Sequence, residues 1–228
     1  MVRYGTVDKK IKRYAVLYPN NNYGQEFAAE FDKSVAELGG KVVSKVGFSA
    51  TKEPSAEIRQ LKLNVNEMKK GAKPFDALFI PDSYMTIAKL APALATAGLN
   101  DVLTMGTNAW NDPSLPSRIA SSLSQAIFVD VFFRDSQQPM VQGFVRDFQA
   151  AYGYPSSTLE AMGYDAARVL GQALASGKVT KREEVKGALM NVKAYKGVTG
   201  LHGFRSDHEA IIDPYIIGVE ANGFKELK

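Results

Sequence analysis

Polar and aromatic side chains cluster directly after three apolar stretches of the sequence. The stretches are Tyr14–Tyr18, Ala77–Ile80 and Val102–Met105. The loops after them supply phenols, amides, hydroxyls, a carboxylate and an indole, from Asn22, Tyr23, Asp82, Ser83, Tyr84, Thr107, Asn108 and Trp110. Such groups suit a hydrogen-bonding mouth with aromatic walls for a small polar ligand. They do not form the nucleophile and acid–base pair that covalent catalysis needs.

Several of these residues also have a purely structural interpretation. Asn20–Asn22 are typical turn formers, and Asp82 or Ser83 could simply cap the helix that follows. A binding site therefore requires that the three loops meet in space. They meet if their strands are neighbours in one parallel sheet, because ligands bind outside the carboxyl ends of such strands.

Other signatures of chemistry are absent from the sequence. No Gly-x-Gly-x-x-Gly, Walker A or Gly-x-Ser-x-Gly motif occurs, and the chain has no cysteine for thiol catalysis or zinc–thiolate sites. The two histidines, His202 and His208, flank a turn-like stretch that we expect to be solvated. Asp130 is a carboxylate in an apolar stretch and is expected to face a hinge or solvent at a strand end. We expect no enzyme activity, no cofactor and no metal.

The composition is that of an ordinary globular protein. The 228 residues are 45% hydrophobic and 23% charged, which excludes a disordered chain. The net charge of +4 arises mainly from residues 1–13, without interleaved aromatic residues, so we expect no nucleic-acid partner. No apolar run reaches the roughly 18 residues that a membrane-spanning helix needs.

Short apolar stretches alternate with amphipathic helical patterns up to Phe133. This alternation predicts right-handed βαβ units and a doubly wound parallel sheet, so the fold class is α/β. Further strands are predicted at Val42–Phe48 and Ala126–Phe133, and Pro92 is expected to kink the third helix. The predicted helices carry apolar stripes formed by Phe27, Phe31, Val35 and Leu38; by Ile58, Leu61, Val65 and Met68; and by Ile87, Leu90, Ala91 and Leu94.

The pattern changes after Phe133. Residues 134–212 predict three helices with almost no strand, and Thr180-x-x-Glu183 has the form of a capping box for the third. Tyr215–Val219 and the turn at Asn222-Gly223 predict a final strand or hairpin. Helices with apolar stripes need a sheet to cover. We therefore expect their sheet to be absent from this chain, or the helices to pair with a second copy.

Several segments resemble, in order and spacing, the type I periplasmic binding proteins, specifically the branched-chain amino acid receptors of ABC transporters. These segments are Tyr14–Gly24, Glu37–Val43, Asp76–Asp82, Tyr164–Leu170 and Gly197–Leu201. Gly106–Asp112 and Ala126–Phe133 also resemble the branch of penicillin-binding-protein activators, which are lipoproteins that regulate cell-wall synthesis.

The resemblance implies a receptor whose two lobes close on a ligand. Residues 1–133 would form the second, Rossmann-like lobe, and residues 134–212 would be helices of the first lobe, whose sheet is absent from this chain. Residues 213–228 would return to the second lobe as a strand or hairpin. The chain would then be a C-terminal fragment of an exported, extracytoplasmic protein, with a lipid anchor in the absent part if it follows the activator branch.

The resemblance also implies roles for individual residues. Tyr23 and Tyr84 match ligand-contacting aromatic residues, and Asn108 stands where the amino-acid receptors have an acidic residue that meets the ligand ammonium. A neutral amide compensates a buried ammonium poorly. Asp82 could substitute for that acid if its side chain turned inward.

Two functions stay open on this basis. The first is a solute receptor that delivers an amino acid or a similar small polar ligand to an ABC transporter permease. The second is a regulatory lipoprotein module that binds a cell-wall enzyme such as a peptidoglycan synthase, in which Trp110, Phe132 and Phe133 would support packing. A cytosolic Rossmann-type sensor or enzyme is disfavoured by the missing fingerprints.

Overall fold

The computed structural model describes residues 1–49, 54–63, 65, 73–175 and 179–228. The chain divides into two compact units. Unit 1 is Met1–Val129 with Ile216–Lys225, and unit 2 is Asp130–Tyr215 with Glu226–Lys228. The polypeptide therefore passes from one unit to the other three times.

Nine strands form a seven-stranded and a two-stranded sheet among the described residues. They are β1 (Arg13–Pro19), β2 (Lys41–Phe48), β3 (Ala77–Phe79), β4 (Leu103–Gly106), β5 (Ala126–Asp130), β6 (Leu201–Phe204), β7 (Ala210–Ile212), β8 (Tyr215–Glu220) and β9 (Gly223–Glu226). The larger sheet has the order β2-β1-β3-β4-β5-β8-β9, and β1 pairs in parallel with β2 and β3, β3 with β4, and β4 with β5. The predicted doubly wound α/β class is confirmed.

Seven α-helices occur in the described part of the chain. They are α1 (Asn22–Glu37), α2 (Ser55–Leu63), α3 (Tyr84–Thr96), α4 (Leu115–Ile119), α5 (Pro139–Tyr152), α6 (Thr158–Leu174) and α7 (Glu184–Met190). A π-helical turn covers Tyr4–Asp8, and a single 3-10 turn covers Asn108–Trp110. None of these helices is long and apolar enough to cross a membrane.

One hydrophobic cluster of the core of unit 1 lies between the sheet and α1. Phe31 of α1 stacks on Phe79 of β3 with ring centroids 4.2 Å apart, and it meets Tyr14 of β1 edge-on at 5.7 Å. Strands β3 and β4 are buried at every position. This explains why β3 appears in the sequence as a continuous apolar run and β4 as a run interrupted only by the buried Thr104. The stripe Ile87, Leu90, Ala91 and Leu94 of α3 is buried as predicted.

Several local predictions for unit 1 need correction. Phe27 is 39% exposed. Its neighbour Ala28 is buried in the core position that the predicted stripe assigned to Phe27. Pro92 lies inside the α3 helix, and the kink expected there stays a prediction. The α2 helix ends at Leu63, so Val65 lies beyond it, while Met68 lies outside the described residues.

The predicted strand at Ala126–Phe133 is also shorter in the structure. It ends at Asp130, whose side chain is buried rather than solvated and accepts hydrogen bonds from Val131 N (2.7 Å) and Thr158 Oγ1 (3.3 Å). Phe132 and Phe133 follow the strand as buried residues of unit 2.

Unit 2 combines α5, α6 and α7 with the antiparallel β6–β7 hairpin, a pairing that the sequence analysis did not anticipate. The predicted capping box at Thr180 is wrong, because α7 begins at Glu184, whose carboxylate accepts hydrogen bonds from Thr180 and Lys181. A complete capping box occurs instead at α6, where Ser157 and Glu160 are reciprocally hydrogen-bonded.

A buried carboxylate organises the core of unit 2. Asp165 of α6 is 2% exposed and accepts hydrogen bonds from Val198 N (3.0 Å), Thr199 N (2.8 Å), Thr199 Oγ1 (2.6 Å) and Tyr195 Oη (3.3 Å). These four bonds hold the turn before β6 against the helix. They also satisfy a charge that would be costly to bury without partners.

The α6 helix also carries an exposed apolar face. Leu159, Met162, Leu170 and Leu174 are each 40–75% exposed. They recur at helical spacing along one side of α6, which leaves this stripe uncovered in unit 2.

Candidate functional site

The three loops singled out in the sequence follow β1, β3 and β4. These strands are adjacent and parallel, in the order β1-β3-β4, so their carboxyl ends lie at the same edge of the sheet. The sequence prediction placed the loops at one edge on this assumption. The topology required for a shared binding mouth is therefore present in unit 1.

The loops after β1 and β4 are in direct contact. Tyr23 Oη lies 3.3 Å from Thr107 Oγ1, and either hydroxyl can donate the hydrogen bond. The Tyr23 ring also lies 4.5 Å from the Phe27 ring, one helical turn further along α1. Since Tyr23 is 42% and Phe27 39% exposed, the pair forms an aromatic ledge that a ligand can reach.

Local capping explains how these loops are held. Asn21 is the N-cap of α1 and accepts from Gly24 N at 2.8 Å, which leaves Asn22 exposed as the first residue of the helix. Thr107 is the N-cap of the 3-10 turn, and its hydroxyl accepts from Ala109 N at 3.4 Å. Asn108 is exposed beside it.

The loop after β3 uses its polar groups to build its own turn. Asp82 Oδ1 accepts from Ser83 N (2.6 Å) and Thr86 Oγ1 (2.9 Å), and Ser83 caps α3 by accepting from Thr86 N (3.3 Å). Tyr84 hydrogen-bonds to Asp112. Asp82 Oδ1 and the Ser83 hydroxyl are thus engaged within this turn, and Tyr84 connects the turn to Asp112 after β4.

Asp112 is the second carboxylate near these loops. Its side chain accepts from the Ser114 hydroxyl and from Ser114 N, and these bonds, together with that of Tyr84, hold the pKa of Asp112 below its usual value. Asp112 is therefore negatively charged at neutral pH, and its Oδ1 accepts hydrogen bonds from Ser114 within its own turn.

Trp110 packs against the backbone of the loop after β4. It is fully buried, and its ring lies so close to Gly106 that a Cβ at that glycine would come within 2.0 Å of the indole. Its Nε1 is buried without a hydrogen-bond partner in the described structure. This burial favours a supporting role for Trp110 over the ligand contact that the sequence predicted.

A groove of about 430 Å³ runs along α1 to the same edge of the sheet. Phe27, Thr107 and Asn108 of the aromatic edge line this groove, together with the stacked rings of Phe31 and Phe79. The complete lining is Met1, Val2, Arg3, Phe27, Glu30, Phe31, Ser34, Leu38, Phe79, Thr107, Asn108 and Val129. A volume of this size falls within the range of small-molecule sites.

Two charged residues line this groove, and sequence reasoning missed both. Arg3 is exposed on the segment before β1, and Glu30 is an exposed residue of α1 whose Oε2 lies 3.9 Å from Lys33 Nζ. The helical spacing of Phe27, Glu30 and Ser34 could have indicated one side of α1. Nothing in the sequence connects Arg3 with that side.

No group of three or more metal-ligating side chains occurs among the described residues. His202 Nε2 lies 2.9 Å from Asp213 Oδ2 within unit 2, and His208 lies in the turn of the β6–β7 hairpin. Both histidines therefore belong to the β6–β7 hairpin, His202 in strand β6 and His208 in the turn.

A family model described as "Periplasmic binding protein" matches residues 1–223 of the sequence. The chain belongs to the periplasmic binding protein family. Among curated proteins, none matches it in sequence. The resemblance to type I periplasmic binding proteins that the sequence suggested is confirmed.

Solved structures of other periplasmic binding proteins share the fold. A candidate branched-chain amino acid ABC transporter protein from Rhodospirillum rubrum is similar with a TM-score of 0.86 at 20% identity, over 97% of this chain and 62% of that one. An isoleucine complex of a branched-chain amino acid transporter substrate-binding protein from Streptococcus pneumoniae gives 0.67 at 21% identity, over 100% and 62%. A benzoate complex of an ABC transporter solute-binding protein from R. palustris gives 0.68 at 18% identity, over 98% and 59%.

This periplasmic binding protein chain spans about 62% of the length of such solved relatives. At 18–21% identity, the similarity to these structures shows the fold of this chain and does not identify its ligand. The edge formed by Tyr23, Phe27, Thr107 and Asn108 is the part of unit 1 on which that argument rests.

Proposed function

We propose that this chain is part of an extracytoplasmic solute-binding protein that presents a small polar, amino-acid-like ligand to an ABC transporter permease. The observation that carries the proposal is the meeting of Tyr23 with Thr107 beside Phe27 and Asn108, at the carboxyl edge of a doubly wound sheet. Relatives of the same fold hold isoleucine or benzoate, which are small solutes of the size that such a site takes.

In this proposal the two units contribute to different lobes. Unit 1 is the second lobe and provides half of the ligand site. The helices of residues 134–212 belong to the first lobe, and residues 213–228 return to the second. The exposed stripe of Leu159, Met162, Leu170 and Leu174 supports this assignment, because an apolar helix face needs a sheet to cover.

The proposed location follows from the family. A periplasmic binding protein works outside the cytoplasm, where it meets its solute before the permease does.

A thermal-shift screen tests the proposed function. The chain is heated with free amino acids, small amides and aliphatic or aromatic acids, each at high concentration. A ligand at one hundred times its dissociation constant stabilises the folded state by about 2.7 kcal/mol, which raises the midpoint of unfolding by a few degrees.

Tyr23→Ala provides the decisive variant, and Tyr152→Ala is its matched control. Tyr152 is also an exposed tyrosine, 63% accessible, but it lies at the end of α5 in unit 2. We expect the ligand-induced shift to vanish in Tyr23→Ala and to persist in Tyr152→Ala. Silence across the whole panel, or an undiminished shift in Tyr23→Ala, would overturn the proposal.

A further inference from the structure

We propose that Asn222 is a site of spontaneous covalent modification, at which the backbone nitrogen of Gly223 displaces the side-chain amide group as ammonia. The reaction deamidates Asn222 and needs no reactant other than water. It takes place in the turn between β8 and β9, which the proposed solute-binding function does not use.

The residue that follows Asn222 favours this reaction. The sequence contains ten asparagines, and Asn222 alone is followed by glycine. A side chain on the following residue would shield the backbone nitrogen that must attack, and glycine has none. A Cβ at Gly223 would meet nothing within 4 Å, so the space beside this part of the backbone is open.

The local structure leaves the Asn222 side chain free to reach that nitrogen. Asn222 is exposed in the two-residue turn between β8 and β9, and no hydrogen bond holds its amide group within the described part of the chain. By contrast, the Asn21 side chain accepts a hydrogen bond from Gly24 N at 2.8 Å. The Asn222 amide can therefore rotate until its carbonyl carbon meets the Gly223 nitrogen.

The reaction consumes one water and releases one ammonia. A bond forms between the Gly223 nitrogen and Cγ of Asn222, the Cγ–Nδ2 bond breaks, and Nδ2 leaves as ammonia with the proton of the Gly223 amide. Water then opens the cyclic imide. Opening at Cγ gives aspartate, whereas opening at the backbone carbonyl gives isoaspartate, in which the main chain runs through the former side chain. Both products carry one more negative charge than asparagine at neutral pH.

The isoaspartate product alters the two strands that the turn connects. It adds one carbon atom to the main chain of a two-residue turn, and turn length determines strand register in a hairpin. The β9 strand carries Phe224, whose ring meets the buried ring of Phe128 edge-on at 5.1 Å. Glu220 and Lys225 form an ion pair of 3.2 Å between the same two strands. We therefore expect the isoaspartate form to lose stability.

Peptide mass spectrometry of the full chain tests the modification. The folded protein is incubated for several weeks at neutral and at mildly alkaline pH and is then cut with trypsin. We expect the mass of the peptide Ser206–Lys225 to rise by about one dalton, as the amide becomes a carboxylate. The rise should be faster at alkaline pH, because loss of the Gly223 amide proton promotes the attack. The internal control is Gly187–Lys193, which contains the exposed Asn191 followed by valine and should keep its mass.

Two variants separate the chemistry from its effect on the fold. Asn222→Gln should leave Ser206–Lys225 unmodified, because the longer side chain would have to close a less favourable six-membered ring. Asn222→Asp carries the new charge on a main chain of normal length. We expect the midpoint of thermal unfolding of the purified isoaspartate form to lie a few degrees below that of Asn222→Asp.

An unchanged mass of Ser206–Lys225, or a mass that rises no faster than that of the Asn191 peptide, overturns the inference. Modification that occurs in urea and not in the folded chain overturns it as well, because the turn would then protect Asn222. Equal midpoints for the isoaspartate form and Asn222→Asp overturn the proposed effect on β8 and β9.

Discussion

At the scale of single residues, the buried carboxylate of Asp165 in unit 2 changes the pKa of the neighbouring Tyr195. Tyr195 is 5% exposed, and its hydroxyl lies 3.3 Å from Asp165 Oδ1. Burial, together with the negative charge of Asp165, raises the pKa of Tyr195 to about 12. A phenolate at this position would lack hydration and would face a second anion, so the folded state retains the phenolic proton.

This shift makes stability depend on alkaline pH. The unfolded chain releases the Tyr195 proton near pH 10, whereas the folded chain holds it to about pH 12. Below pH 10 both states are protonated and the contribution is fully present; it is lost as the pH rises from 10 to 12. We therefore expect the free energy of unfolding, measured with urea, to fall across this interval.

Tyr195→Phe should flatten part of that fall, because it removes the titrating group. The control is Tyr152→Phe, since Tyr152 is 63% exposed. A pH profile for Tyr195→Phe that matches the parent chain between pH 10 and 12 would contradict the interpretation.

At the scale of elements, the loop after β4 depends on a close approach between Gly106 and Trp110. A Cβ on Gly106 would lie within 2.0–2.5 Å of three ring atoms of Trp110. Gly106→Ala should therefore displace the indole and the Thr107–Asn108 turn above it. We expect a loss of about 2 kcal/mol in the free energy of unfolding, as is typical of overpacking.

Trp110 is the single tryptophan of the sequence, so its fluorescence reports this loop directly. In Gly106→Ala the emission should move to longer wavelength as the indole meets water. Gly143→Ala is the matched control, because a Cβ at Gly143 in α5 meets nothing within 4 Å and alanine is the better helix former. Parent-like emission and stability in Gly106→Ala would contradict the predicted clash.

Elements buried by the sheet were predictable, whereas their ends were less so. Strand β3 is apolar at consecutive positions, and β4 is so except at Thr104, because both faces of these strands are covered; this gives a strong sequence signal. Serine and threonine occur at several positions near each helix start, so residue type alone does not identify the N-cap. The sequence pattern therefore favours Thr180, whereas the structure forms its capping box at Ser157. Phe27 fits an apolar stripe as well as Phe31 does, and only tertiary packing leaves it exposed at the site.

The candidate site was predictable to the level of its loops. Parallel neighbours bring their carboxyl ends together, so the meeting of Tyr23 with Thr107 follows from strand order. Glu30 was predictable in part, because its helical spacing with Phe27 and Ser34 places it on one side of α1. Arg3 was not predictable, because it lies before the first strand and no sequence pattern connects it with that side. The orientation of the Asp82 side chain also depends on its hydrogen bonds to Ser83 and Thr86, which the residue type alone does not determine.

At the scale of the whole molecule, the uncovered face of α6 determines how the isolated chain behaves in solution. Leu159 is 75% and Met162 51% exposed, and Leu170 and Leu174 continue the stripe. Exposed apolar patches drive association. We expect this 228-residue chain to self-associate as its concentration rises, observed as an increasing sedimentation coefficient.

Leu170→Lys should reduce this association and change the free energy of unfolding by less than about 0.5 kcal/mol, because the side chain is already 40% exposed. Gln172→Lys adds the same charge to an exposed position of α6 outside the apolar stripe and should leave association unchanged. Monomeric sedimentation of the parent chain at every concentration would contradict the expectation.

The division of unit 1 into Met1–Val129 and Ile216–Lys225 has a consequence for biosynthesis. The ribosome releases β1 to β5 well before β8, the strand that lies next to β5 in the finished sheet. At elongation rates of about 5–20 residues per second, residues 130–215 take roughly 4–17 seconds to appear. Throughout that interval the nascent sheet has an unpaired edge carrying Ala126, Ile127 and Phe128, a template for pairing with other chains. The growing polypeptide must therefore pass this stage shielded by a chaperone or incompletely folded.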